Sequence, residues 1–124
     1  MSREHPTPAE DSLHHLSTAL HLVQRADADL QTDPAPAREN LYAHAGVAMV
    51  LALGMREHVD HLARHVRSLT AVHFETTDNE RLGHANRQLN TARVALHQAH
   101  EALHAATGHL YVEMPDGPEQ PVNG

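Results

Sequence analysis

Two long stretches of this sequence carry apolar residues in strictly alternating steps of four and three. The first series lies between residues 41 and 69 and comprises Leu41, Ala45, Ala48, Ala52, Met55, Val59, Leu62, Val66 and Leu69. The second series alternates leucine with alanine, at Leu82, Ala85, Leu89, Ala92, Leu96, Ala99, Leu103, Ala106 and Leu110. This is the a/d heptad spacing of helices that pack along one another. The spacing predicts an all-α protein, and the high content of Ala and Leu agrees because both are strong helix formers.

Proline breaks and capping motifs divide the chain into three predicted helices. Thr7-Pro8-Ala9-Glu10 is a capping box with proline at the first helical position, and the prolines between Thr32 and Pro36 separate the first two helices. A second capping box, Thr77-Asp78-Asn79-Glu80, opens the third helix, and Gly108 is expected to stop it. The predicted segments are a flexible N-terminus (1–7), one helical domain (8–114) with helices at about 8–31, 36–75 and 78–107, and a disordered tail (115–124).

Short connections make consecutive helices antiparallel, which predicts an up-down-up three-helix bundle. The central helix is overlong, because at 1.5 Å per residue it reaches about 60 Å while the first helix reaches about 35 Å. Its stretch from Ala45 to Met55 is also apolar on every side, and such a helix is buried on every side. We therefore predict a helical homodimer in which the central helix packs on its symmetry mate through Val47, Val50, Leu51 and Leu53.

Composition excludes several kinds of site. The chain has no cysteine, so it has no disulfide, no thiolate metal site and no cysteine nucleophile. It also lacks a P-loop, a dinucleotide-binding glycine pattern and a His-Glu-x-x-His motif, and its few serines do not lie in glycine-rich turns. These absences predict a protein that is not an enzyme and that uses no cofactor.

Histidine is abundant, with 14 residues, and two triplets share the spacing i, i+3, i+7. His58, His61 and His65 form the first triplet, and the second lies between His97 and His104. Imidazole binds Zn, Ni and Cu, so a histidine-rich bundle that binds a divalent transition metal is the alternative function. Folding the helices back on each other would bring its candidate ligands to one layer, namely His14, His15, His58, His97 and His100. All of them lie off the heptad positions, and solvated polar faces are the simpler interpretation.

The distribution of charge along the chain suggests a second, weaker alternative function. Sixteen acidic residues against nine arginines give a net charge of −7 with histidine neutral. Residues 61–100 alone carry five arginines and three acidic residues, a balance of +2, which could serve a nucleic-acid-associated protein at the end where helices 2 and 3 meet. No aromatic residues accompany these arginines, so nucleic acid is not the expected partner.

The most apolar stretch spans 11 residues, from Ala45 to Met55, whereas a bilayer span needs about 20. The N-terminus has no apolar signal-peptide core either. From these features we expect a cytoplasmic protein without membrane contact. The sequence thus predicts a non-enzymatic helical-bundle protein with an interaction or scaffolding function, which forms a homodimer.

Overall fold

The computed structural model describes residue 5, residues 7–72 and residues 76–111. The described chain forms three α-helices: α1 (Pro8–Thr32), α2 (Arg38–Val72) and α3 (Thr76–Leu110). The prediction of an all-α protein is therefore confirmed. The predicted tail (115–124) and most of the predicted N-terminal segment (1–7) lie outside the described residues. No helix in the described part is long and apolar enough to cross a membrane.

The chain divides after Pro36 into two compact units, although the sequence predicts one domain over residues 8–114. Helix α1 belongs to the first unit. Its capping box is present: Glu10 N–H donates to Thr7 Oγ1 (3.1 Å) and Thr7 N–H donates to Glu10 Oε1 (2.8 Å). The helix contains no buried residue, and its apolar stripe is exposed, with Leu13 at 67% and Leu20 at 58%.

Helices α2 and α3 pack along each other as an antiparallel pair, here called the hairpin. The start of α2 contacts the end of α3, because the Arg38 guanidinium donates to the carbonyl oxygens of His109 (3.0 Å) and Leu110 (3.1 Å). These are terminal carbonyls that have no partner inside α3, and the positive charge also suits the negative end of the helix dipole. Towards the middle of the hairpin, Arg93 Nε of α3 lies 3.9 Å from Asp60 Oδ1 of α2.

The face of α2 that packs on α3 differs from the predicted heptad series. Of the described residues only Ala52, Val59 and Ala63 are buried. The predicted members Met55, Leu62 and Leu69 are instead 40–47% exposed. An α-helix has 3.6 residues per turn, so a strict seven-residue series rotates by about 20° per heptad around a straight helix. From Arg56 onwards three predicted positions are displaced by one residue: Arg56, Ala63 and Thr70 are covered in place of Met55, Leu62 and Leu69, while Val59 and Val66 are covered as predicted.

The covered positions of α3 also differ from the predicted ones. Its leucines recur every seven residues on the covered side, but the predicted alanines Ala85, Ala99 and Ala106 are exposed. Ala92 is half-buried, as predicted, but the other half-buried positions beside the leucines include polar residues: Asn79, Asn86, Arg93, His100 and Thr107. The predicted ends of α3, at about residues 78 and 107, also differ from the observed ones. The helix begins at Thr76 and passes through Gly108 to Leu110, because nothing at Gly108 forces the chain out of the helix.

Candidate interaction surface

The middle of α2 presents large apolar side chains to solvent. Val47 and Val50 are each 60% exposed and Leu51 is 45% exposed, while Leu53 is half-buried. At 100° per residue these four positions span the side of α2 that points away from Ala52 and hence away from α3. Of the four residues predicted as a dimer interface, Val47, Val50 and Leu51 therefore lie on one outward face of the hairpin, and Leu53 lies at its edge. We call the part of α2 from Ala43 to Gly54 that lies on this side the outer face.

The outer face carries no acidic residue and no arginine, and His44 lies at its edge. No Asp, Glu or Arg occurs between Ala43 and Met55, and the nearest charged residues along α2 are Glu39 and Arg56. Ala43, Gly46 and Gly54 add only small groups to the surface, and a Cβ built on either glycine would meet nothing within 4 Å. Monomeric proteins rarely expose contiguous apolar patches without a binding role. The outer face is thus the strongest candidate for a functional surface on the hairpin.

A polar flank lies next to the outer face. Arg56 Nη1 donates to His97 Nδ1 (2.8 Å), and Arg64 Nη2 lies 2.9 Å from Asp60 Oδ2. A surface cleft is lined by side chains of both helices: Arg56, Glu57, Asp60, His61, Arg64 and Arg93. The carboxylate of Asp60 lies between two arginines and offsets part of their charge. Two of the five arginines of the basic region are engaged in this way, which leaves less positive charge for a nucleic acid.

The candidate metal ligands occupy separate surroundings. His14 and His15 belong to α1, where their ring centroids are 6.1 Å apart. In the hairpin, His97 Nδ1 accepts from Arg56, and His100 Nδ1 donates to the carbonyl oxygen of Met49 (3.1 Å). Within the part of the chain that the structure describes, no three His, Asp or Glu side chains form a group that could hold a metal ion.

The half-buried polar positions of α3 are the feature that sequence reasoning missed. Asn86 Oδ1 is buried and, among the described residues, has no hydrogen-bond partner, while Thr107 Oγ1 donates to the carbonyl oxygen of Leu103 (2.7 Å). Polar residues at such positions fix the register of paired helices at a cost in stability. Their seven-residue spacing was visible in the sequence. It was masked because the alanines three residues after each leucine fit the heptad equally well and are less polar.

No known protein family, no curated protein and no solved structure matches this chain. The interpretation of the surface therefore depends on the chain's own geometry and chemistry.

Proposed function

We propose that this protein is a non-enzymatic interaction or scaffolding protein that associates with itself through the outer face of α2. The observation that carries the proposal is the exposure of Val47, Val50 and Leu51 in the middle of an uncharged stretch. Leaving such side chains in water forgoes about 25 cal/mol for each Å² of apolar surface that a partner could cover. An interface formed by these residues would recover part of that free energy.

The proposal includes the finer architecture that the sequence predicts, an up-down-up three-helix bundle within each copy. The composition of α1 supports it, because its stripe of Leu13, Leu16, Leu20 and Val23 is apolar and α1 contains no buried residue. Most helices of this length owe their stability in water to the packing of an apolar face.

The test is the oligomeric state of the chain and of two arginine variants. Size-exclusion chromatography with light scattering should give twice the chain mass of 13.6 kDa at high micromolar concentration. Val50→Arg and Leu51→Arg should each give the single-chain mass, because a symmetric contact would bury two unpaired guanidinium groups. Far-ultraviolet circular dichroism checks that each variant keeps its helices.

Val94→Arg is the matched control. Val94 lies on α3, is 43% exposed and is not part of the outer face of α2, so this variant should remain a dimer. A native chain that is monomeric at every concentration would overturn the proposal. Dimers that survive both α2 substitutions would show that the interface lies elsewhere.

A further inference from the structure

Two histidines of α3 contact the same methionine of α2. His100 Nδ1 lies 3.1 Å from the carbonyl oxygen of Met49, and His104 Nδ1 lies 3.4 Å from the Met49 sulfur. Met49 and His100 are half-buried, whereas His104 is exposed. Two imidazole rings and one thioether therefore meet at a single place on the hairpin, and that place is open to solvent on the side of His104.

We propose that Met49, His100 and His104 form a binding site for Cu(I). The site differs from the layer of histidines that the sequence predicts, because it shares only His100 with that layer and includes a sulfur ligand. It goes beyond the proposed function and does not depend on it, since all three ligands belong to one hairpin.

The spacing of the two histidines suits a single metal ion. Residues four apart lie on one side of a helix, with about 5–6 Å between their Cβ atoms. The His-Glu-x-x-His helices of zinc proteases use the same separation to bind one ion through two imidazoles. His100 and His104 are four apart in a continuous helix, and the contacts with Met49 place its side chain on the same side.

The hydrogen bond of His100 is one that metal-binding histidines commonly make. Such a histidine usually donates its second ring N–H to a carboxylate or a backbone carbonyl, which fixes the tautomer and the orientation of the ring. His100 donates from Nδ1 to the carbonyl oxygen of Met49. A neutral imidazole with its proton on Nδ1 has its lone pair on Nε2. His100 Nε2 is therefore the nitrogen that coordinates the ion.

The contact between His104 and Met49 has the separation that a shared ion requires. Metal bonds of about 2.0 Å to nitrogen and about 2.3 Å to sulfur, at a tetrahedral angle, place the two ligand atoms about 3.5 Å apart. The distance from His104 Nδ1 to Met49 Sδ is 3.4 Å. A thioether is only a weak hydrogen-bond acceptor, so a proton between these atoms gains little. With the proton on Nε2, both facing atoms offer lone pairs to a cation.

The kind of ligand selects the metal. Thioether sulfur favours Cu(I), whereas carboxylates favour harder divalent ions. The three ligands are neutral and include no carboxylate, so a bound ion keeps its full charge. A half-buried site holds one positive charge at less cost than two. The chain's net charge of −7 with neutral histidine also attracts cations.

Competition for Cu(I) between the protein and the chelator bicinchoninate, without oxygen and with ascorbate, tests the site. Met49→Leu keeps the volume and removes the sulfur. It should weaken Cu(I) binding by about tenfold or more, because even indirect partners of metal ligands contribute about 10–100-fold. Met55→Leu is the matched control, since Met55 also lies on α2, is 41% exposed and has a histidine three residues further on. Its affinity for Cu(I) should equal that of the native chain.

The histidine ligand has a matched control as well. His104→Gln should weaken Cu(I) binding, whereas His65→Gln should not, although His65 is equally exposed and lies four residues after His61. Ni(II) separates the thioether from the imidazoles, because Met49→Leu should leave Ni(II) binding unchanged. X-ray absorption of the equimolar Cu(I) complex should show one sulfur and two nitrogen neighbours, and the sulfur should be lost in Met49→Leu.

Each outcome supports or overturns the site. Loss of Cu(I) affinity in Met49→Leu and His104→Gln, with both controls unchanged and circular dichroism preserved, supports it. Copper with nitrogen neighbours alone, or equal affinities of Met49→Leu and Met55→Leu, would show that other histidines bind the ion and would overturn it. Binding of Cu(I) no tighter than micromolar would overturn it as well. A chain that is monomeric by light scattering contradicts the proposed function and leaves the copper site standing.

Discussion

The two sides of α2 differ in the size and exposure of their apolar residues, and the difference is opposite to that of an ordinary amphipathic helix, which buries its large apolar side chains. The side that packs on α3 buries two alanines, Ala63 at 3% exposure and Ala52 at 8%, and one larger residue, Val59 at 7%. The outer face carries Val47, Val50 and Leu51, which are larger than the alanines and far more exposed. Small residues allow two helix axes to come close, but they remove little apolar surface from water. The axes of α2 and α3 can therefore lie close together, but their contact buries little apolar surface. The apolar side chains of the outer face remain for another contact.

The largest expected effect comes from filling the close contact between the helices. Ala63→Leu should lower the free energy of unfolding by about 1–3 kcal/mol, because the added methylenes have no space between α2 and α3. Chemical denaturation followed by circular dichroism measures the change. Ala105→Leu is the control, since Ala105 is exposed and Leu is nearly as good a helix former as Ala. Equal stability of the two variants would show that α3 does not approach Ala63 closely.

The next effect belongs to the outer face. Gly54→Ala should raise the free energy of unfolding by about 1 kcal/mol, because alanine is the better helix former and a Cβ there meets nothing. Thermal denaturation of the native chain and the variant at the same low concentration measures the change. A lower melting temperature of the variant would show that the surroundings of Gly54 have no room for a side chain.

The smallest effect belongs to the polar flank between these two sides. Asp60→Asn should cost no more than about 0.5 kcal/mol, because exposed i, i+4 ion pairs contribute little. Side chains of this pair are 64% and 33% exposed at Arg64 and Asp60. Chemical denaturation at low and high salt tests this expectation. A loss of several times that size would mean that Asp60 supports the hairpin and does more than offset surface charge.

Much of the fold follows from local signals in the sequence. The first capping box sets the start of α1, because the Thr7 hydroxyl and the Glu10 carboxylate satisfy backbone N–H groups that a helix leaves free. Prolines 34 and 36 separate α1 from α2, since proline removes a backbone donor and clashes with a preceding turn. The exposed apolar residues of the outer face were also identified from the sequence, because nothing else in the pattern could cover them.

The facing residues could not be derived in the same way. In α3 the positions Ala99 and His100 fit the heptad spacing equally well, and hydrophobicity favours Ala99, which is exposed, over His100, which is half-buried. In α2 the seven-residue series selects Leu62, whereas the helix turns Ala63 towards α3. Each choice depends on how far the helix is rotated about its own axis, by less than the roughly 100° between consecutive residues. That rotation is set by how the surfaces of α2 and α3 fit together.

The sequence by itself determined three helices, the boundary between α1 and α2, and an uncharged apolar stretch in the middle of α2. These depend on caps, prolines and residue types, all of which act within a few residues along the chain. Only the tertiary structure decided that Ala63 and not Leu62 is buried, and that Asn86 and His100 and not Ala85 and Ala99 occupy the covered side of α3. The reason is that a helix of 3.6 residues per turn drifts against a seven-residue pattern, so the side that faces a neighbour is fixed by packing between helices and not by the pattern alone.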